Sequence, residues 1–365
     1  MKILLIAQFD KFGGTREAFK RILNIHQKNG FKTHAIIGYN SDDAIKKYIR
    51  EKGAEYTELT RRGKLYRNMV GSLFYEHLNY HRILKLWKPD LIVTSIGTSN
   101  FALYPFIRRY PMVYILHTIP MELSPHIRWF YKVFSLLSGK DQLVCGVSEA
   151  TVKSVSRNWG YDEEKTVVVH NTFIEENVAE GNKVSHKESN ITVLTLGIIS
   201  WYKNPDLWLK VAKKITKKYK NVKFLWLGDG KLFDKFRQQT VDESQIHFLG
   251  FRENVKRYYS EASIYFQPSL RENHSYSVLD AMANGLPSVV SNVGGQSESI
   301  EEGVNGYLCE SGDSTSFVEK ISILIENPDL RLEMGKRAKN HAFRHFHPKE
   351  YDQKLLNVYK KALEL

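Results

Sequence analysis

Short β-branched or leucine-rich runs alternate with longer segments of helical period along the whole chain. Strands are predicted at Lys2 to Ala7, Thr33 to Gly38, Leu91 to Ser95, Met112 to His117, Leu143 to Ser148 and Val167 to His170, with helical patterns between them. The style repeats at Ile191 to Leu196, Val222 to Leu227, Ile246 to Leu249, Ile264 to Gln267, Ser288 to Ser291 and Gly306 to Cys309. Continuous apolar strands separated by helices imply parallel sheets covered on both faces. The 365 residues exceed the roughly 250–300 that one core supports. The expectation is therefore an α/β protein of two Rossmann-like, doubly wound domains facing each other across a cleft. Residues 174–190, polar, aperiodic and carrying Gly181, read as the linker between a domain at 1–173 and one at 191–347. From Pro348 to Leu365, the apolar stripe Tyr351, Leu355, Val358, Tyr359 and Ala362 predicts a last helix that crosses back to the first domain.

Composition narrows the class. Hydrophobic residues at 42% and charged ones at 25% exclude a disordered or fibrous chain. Cys145 and Cys309 are too few for a disulfide framework or a zinc cluster and fit a reducing compartment. The apolar run Ile3 to Ala7 is too short for a signal peptide, and no run approaches the ~18–20 apolar residues of a membrane helix. A cytoplasmic protein is expected, peripheral at the inner membrane face.

Charge supports the peripheral expectation. The net charge is +13, yet residues 1–173 hold 26 basic and 15 acidic side chains, against 27 and 25 in the remainder. The first half should therefore meet something anionic: lipid, a phosphorylated substrate or nucleic acid. Two basic, aromatic stretches, Arg61-Arg62-Gly63-Lys64-Leu65-Tyr66-Arg67 and His126 to Phe134, suit an anionic membrane surface. The helical spacing of Phe130, Phe134 and Leu137 fits a core equally well. No nucleic-acid-reading module is recognisable, so nucleic acid is not expected as a partner.

The densest chemical signal runs from Pro268 to Pro287. A strand ends near Gln267, a loop carries Arg271, Glu272 and Asn273, and a helix starts at Ser275 or Ser277 as N-cap, with Tyr276 between them. Gly285 and Pro287 end it. Asp280 stands amid Val278, Leu279, Ala281 and Met282, so its carboxylate needs donors. Ligand hydroxyls, backbone amides or a nearby lysine can supply them. Upstream, Gly197 to Asp206 reads as strand end, loop and helix start, with Asn204 as N-cap and Pro205 at the first helical position. Lys203 thus stands beside a helix N-terminus, where an ammonium and free amides hold a phosphate together. Gly13-Gly14 opens the first helix without a third glycine, so it is no dinucleotide fingerprint.

Together these segments resemble the retaining family 4 glycosyltransferases of the GT-B type. The resemblance is carried by an acidic pair spaced as Glu-x7-Glu, the following Ala281-Met282-Ala283-Asn284-Gly285-Leu286-Pro287, and Gly294-Gly295-Gln296-Ser297-Glu298. It implies a nucleotide-sugar donor, UDP- or GDP-linked, bound by the second domain. Glu272 would then meet hydroxyls of the transferred sugar and Asp280 the ribose, although the family usually has Glu there. Lys203 would meet the diphosphate, and Gly197, Phe251, Asn273, Ser275, Tyr276 and Ser277 would surround the donor. Ile198 departs from the family's arginine, and Arg16 and Arg271 are the candidate replacements. The resemblance also implies that Gly13 and Gly14 lie near the donor phosphates and that His117 faces the donor sugar. No Asp-x-Asp and no cluster with metal-ligand spacing occurs, so neither metal nor cofactor is expected. The expected acceptor, held by the first domain, is a glycan or lipid-linked glycan in polysaccharide assembly. Competing readings are an inactive nucleotide-sugar-binding subunit and a nucleotide-sugar epimerase.

Overall fold

The strand Lys2–Ala7 (β1) is buried from its second residue onward, as a strand covered on both faces must be. The computed structural model describes residues 1–7, 13–38, 41–59, 82–95, 110–120, 142–180 and 190–364. They divide into two units, Met1–Val169 with Asp352–Leu365, and His170–Tyr351. The basic stretches at 61–67 and 126–134 lie outside the described residues, as does Gly181. Among the described residues no helix is long and apolar enough to cross a membrane.

In the first unit β1 is followed by Gly14–Lys28 (α1), Lys32–Ile37 (β2), Asp43–Glu51 (α2), Glu55–Glu58 (β3), Leu91–Ser95 (β4), Met112–Leu116 (β5), Gln142–Gly146 (β6), Glu149–Trp159 (α3) and Thr166–Val168 (β7). The described strands form one sheet in the order β3-β2-β1-β4-β5-β6-β7, every pair parallel. β3 was missing from the sequence reading. Glu-Tyr-Thr-Glu is a polar edge strand, and nothing but pairing with β2 makes it one.

The second unit contains Ile191–Leu196 (β8), Pro205–Lys218 (α4), Val222–Leu227 (β9), Phe233–Gln238 (α5), Ile246–Gly250 (β10), Lys256–Glu261 (α6), Ile264–Gln267 (β11), Tyr276–Ala283 (α7), Ser288–Ser291 (β12), Gly306–Cys309 (β13), Ser314–Glu326 (α8) and Pro328–His345 (α9). Its parallel sheet runs β10-β9-β8-β11-β12-β13. One face packs around Trp208, Trp226, Phe248 and Phe266, the other around Tyr265, Leu279, Met282 and Ala338. The indole of Trp208 donates to Thr195 Oγ1 at 2.6 Å, so its polar atom is satisfied inside the core.

Helix Pro348–Glu364 (α10) follows, and its residues from Asp352 onward belong to the first unit. Arg21 donates to Asp352 Oδ1 at 2.9 and 2.7 Å, and His26 meets Tyr359 OH at 3.1 Å and Thr33 Oγ1 at 3.0 Å. The helix expected from its stripe is there, and it carries the chain back to the first unit.

The expected linker, 174–190, is described only in part. Its described part, 174–180, belongs to the second unit and is tied to α7. Asp280 accepts from Ile174 N and from Asn177 Nδ2, both at 2.7 Å. Asn284, one turn on, accepts from Ala179 N at 2.9 Å and donates to Asn177 O at 3.0 Å. Asp280 and Asn284 are i,i+4 neighbours on one helical face and form a polar seat for a segment whose backbone needs partners. Asp280 is 1% exposed, and the chain's own amides supply the donors it needs.

Replacing Asp280 by Ala should therefore cost the second unit about 2–4 kcal/mol, because two part-buried donors lose a charged, buried acceptor. Thermal denaturation measures this, and an undiminished melting temperature would contradict the seat. A second prediction concerns pH. Burial lowers the pKa of His26 to about 3 and that of His117 to about 4, and it holds His274 well below the usual histidine range. Below pH 6.5 the unfolded chain takes up these protons and the fold refuses them. Stability should be full above that pH and fall by up to about 1.4 kcal/mol per pH unit for each buried histidine as pH drops. The loss in melting temperature between pH 7 and pH 5 should be smaller in His26→Gln than in the unaltered chain.

Candidate functional site

Both sheets reverse their strand order once, between β1 and β4 and between β8 and β11. Connections leave such neighbours toward opposite faces of the sheet and open a crevice at their carboxyl ends, the place where doubly wound sheets take ligands. In the second unit the loops after β8 and β11 carry Gly197 to Asn204 and Pro268 to Ser275.

The β8 loop turns at Gly197, whose φ of +152° favours glycine. Gly197 is pressed against the next strand's exit, since a Cβ on Gly228 would lie 2.0 Å from its carbonyl oxygen. A short 3-10 turn, Trp201–Lys203, leads to Asn204, which accepts from Leu207 N at 3.3 Å and caps α4 ahead of Pro205. The β11 loop lies on this turn: Leu270 N donates to Tyr202 O at 2.8 Å and Arg271 N to the same oxygen at 3.4 Å.

Knitting the two loops brings Lys203 to Glu272. The ammonium is in direct ion-pair contact with Glu272 Oε2, and the side chains are 11% and 15% exposed. A Cβ on Gly197 would meet Lys203 Nζ at 3.8 Å, so the ammonium lies beside the glycine turn. Gln267, the last residue of β11, donates to Glu272 Oε2 at 2.9 Å. Its Oε1 accepts from Tyr265 OH at 3.0 Å, Ser277 Oγ at 3.1 Å and Ser275 Oγ at 3.4 Å. Sequence reasoning missed Gln267. The signal was an amide side chain ending an otherwise apolar strand.

Of the two serines expected at the N-cap of α7, Ser275 takes the position, and its hydroxyl bonds to Gln267 and Ser277 instead of to a helix amide. The first amides of α7 thus remain without a side-chain cap, a favourable environment for negative charge. Asn273 is buried, and its N–H donates to Glu272 Oε1 at 3.3 Å. Tyr276 is half-buried in the first turn of α7.

The other expected residues make contacts of their own. Phe251 is exposed just beyond β10, and Asp280 faces the 174–180 segment. Arg271 lies over the Trp201 ring, its guanidinium carbon 5.2 Å from the centroid. Gly13, Gly14, Arg16 and His117 belong to the first unit. Gly13, with φ +124°, occupies the N-cap position of α1. Arg16 makes a bidentate pair with Asp42 at 2.6 and 3.1 Å, so the charge offered as a diphosphate cation already has a counter-ion. His117, just past β5, meets Ser95 Oγ at 2.9 Å, and burial keeps it neutral at pH 7. Among the described residues no group of three or more His, Cys, Asp or Glu side chains could hold a metal ion.

Comparison with known proteins agrees with this architecture. Residues 15–174 match the model described as Glycosyltransferase Family 4, and residues 179–341 the one described as Glycosyl transferases group 1. An uncharacterized glycosyltransferase of Haemophilus influenzae is 33% identical over 162 residues, 43% of this chain and 46% of that protein. The N-acetyl-alpha-D-glucosaminyl L-malate synthase of Bacillus anthracis is 30% identical over 157 residues, 42% of this chain and 41% of that one. The matched stretch thus spans under half the length of these curated relatives. The crystal structure of Anabaena Alr3699/HepE in complex with UDP shares the fold over 99% of this chain and 100% of that one, with a TM-score of 0.79 and 23% identity. With both halves matched in order, the chain belongs to the group 1, family 4 glycosyltransferases and has their GT-B fold.

Proposed function

We propose that the protein is a retaining glycosyltransferase that moves a sugar from a nucleoside diphosphate to an acceptor hydroxyl in glycan or polysaccharide assembly. The observation that carries this reading is the Lys203–Glu272 pair at the switch point of the second sheet. Breaking a sugar–phosphate bond builds negative charge on the phosphate oxygens, and a preorganised ammonium at the glycine turn offsets it. Glu272, held by Gln267, is an acceptor for sugar hydroxyls. Phe251 follows β10, three strand positions from β11, so an exposed aromatic lies about 10–14 Å from the pair. That span suits a base at one end of an extended nucleoside diphosphate and its sugar at the other. The UDP bound to the Anabaena relative makes uridine the first base to test.

In the proposed step the acceptor oxygen attacks the anomeric carbon from the face the phosphate leaves. The electron pair of the breaking C–O bond passes to the phosphate, which takes the acceptor's proton. No metal is invoked, because Lys203 supplies positive charge. His117 is neutral at pH 7, so its part in the transfer is that of a hydrogen-bonding group. An anionic, lipid-linked acceptor at the inner membrane face would suit the basic first half.

A thermal-shift panel of UDP, GDP and their sugars tests donor binding, since a ligand of the native state raises the melting temperature. One nucleotide should stabilise the protein, and no shift with any of them would contradict the reading. Lys203→Ala should lower kcat by about 10²–10³-fold, the usual effect of removing one transition-state stabiliser. Glu272→Gln should abolish transfer yet leave nucleotide binding within a few-fold. Equal loss of both would mean that the pair is structural.

A further inference from the structure

We propose that Trp201, pinned by Arg271, is a stacking platform for a pyranose ring of the acceptor; this rests on the donor reading above. Trp201 is 58% exposed, whereas Trp159, Trp208 and Trp226 are buried. A large aromatic left this open beside the loops of Lys203 and Glu272 offers apolar area to a ligand. Its position is also held. The Arg271 guanidinium lies 5.2 Å from its ring centroid, Tyr202 meets it edge-on at 6.0 Å, and two hydrogen bonds from the β11 loop to Tyr202 O fix the turn beneath. Preorganised aromatic area binds with little ordering cost.

The chemistry selects a sugar. A pyranose has an apolar C–H face that covers an indole and a rim of hydroxyls that accept from a guanidinium. Trp201 stands two residues before Lys203, and Arg271 immediately before Glu272. In the donor reading those partners are occupied by the diphosphate and the transferred sugar, so a platform one step outward meets the acceptor. A membrane is the less favoured occupant. Only Leu270, 39% exposed, joins the pair on these loops, and no amphipathic helix presents them.

The test uses the full-length protein, with and without saturating UDP, titrated with methyl α- and β-glucoside, galactoside, mannoside and N-acetylglucosaminide. Acrylamide quenching reads the exposed indole. At least one glycoside should protect the protein, bringing quenching down toward that of Trp201→Ala. The protection should vanish in Trp201→Ala, return in part in Trp201→Phe as binding seen by ligand-observed NMR, and weaken in Arg271→Ala. Circular dichroism and melting temperature should be unchanged in Trp201→Ala, because the side chain is exposed. Absence of protection by every glycoside, protection that persists in Trp201→Ala, or protection by anionic vesicles alone would each overturn the proposal. A nucleotide shift without glycoside protection rejects the platform and leaves the donor reading intact. Glycoside protection without any nucleotide shift rejects the donor reading and reassigns the platform to a carbohydrate-binding surface.

Discussion

An ammonium and a carboxylate largely withdrawn from water are the constraint on which this site depends. Alone, either Lys203 or Glu272 would pay a desolvation penalty in its half-closed position, and together they cancel most of it. Such pairs add little to stability relative to apolar replacements. This one holds the loops after β8 and β11 to a common geometry. Gln267 transmits that geometry to the start of α7, linking the carboxylate to the hydroxyls of Ser275 and Ser277. The site is thus set in place by one strand-end amide as well as by its charges. In the proposed reaction a diphosphate competes for the ammonium and sugar hydroxyls satisfy the carboxylate, so ligand binding exchanges one set of satisfied partners for another.

The acidic pair that drew attention in the sequence divides its labour. Glu272 is on a loop with access to solvent, and Asp280, eight residues on, is sealed against the segment 174–180. Both are buried enough to need partners, and the difference lies in who supplies them. For Asp280 the donors are Ile174 N and Asn177 Nδ2, so its charge organises the entry of the chain into the second unit. Motif spacing alone treats the two carboxylates as equivalent. The packing of α7 separates them, because one turn of helix carries a side chain from the loop edge to the interior.

The strand and helix alternation, the parallel sheets, the two-unit organisation and the last helix were all legible in the sequence. Each depends on local hydrophobic period and on turn residues such as Asn204, Pro205 and Gly285, which act within a few positions of themselves. Lys203, Glu272 and Gly197 were legible too, as a strand end followed by a turn. Less so were β3, whose polar residues become a strand only beside β2, and Gln267, whose role is defined by three hydroxyls from other positions.

What the sequence by itself determined is therefore the set of elements and the chemical types offered at their ends. Only the tertiary structure decided which of those groups meet. It joined Lys203 to Glu272 across 69 positions, gave Arg16 to Asp42, turned Asp280 inward and left Trp201 outward. The reason is physical. A helix or strand is specified by neighbours a few residues away, whereas a polar group's partner is whichever donor or acceptor the sheet order and loop crossings bring within about 3 Å.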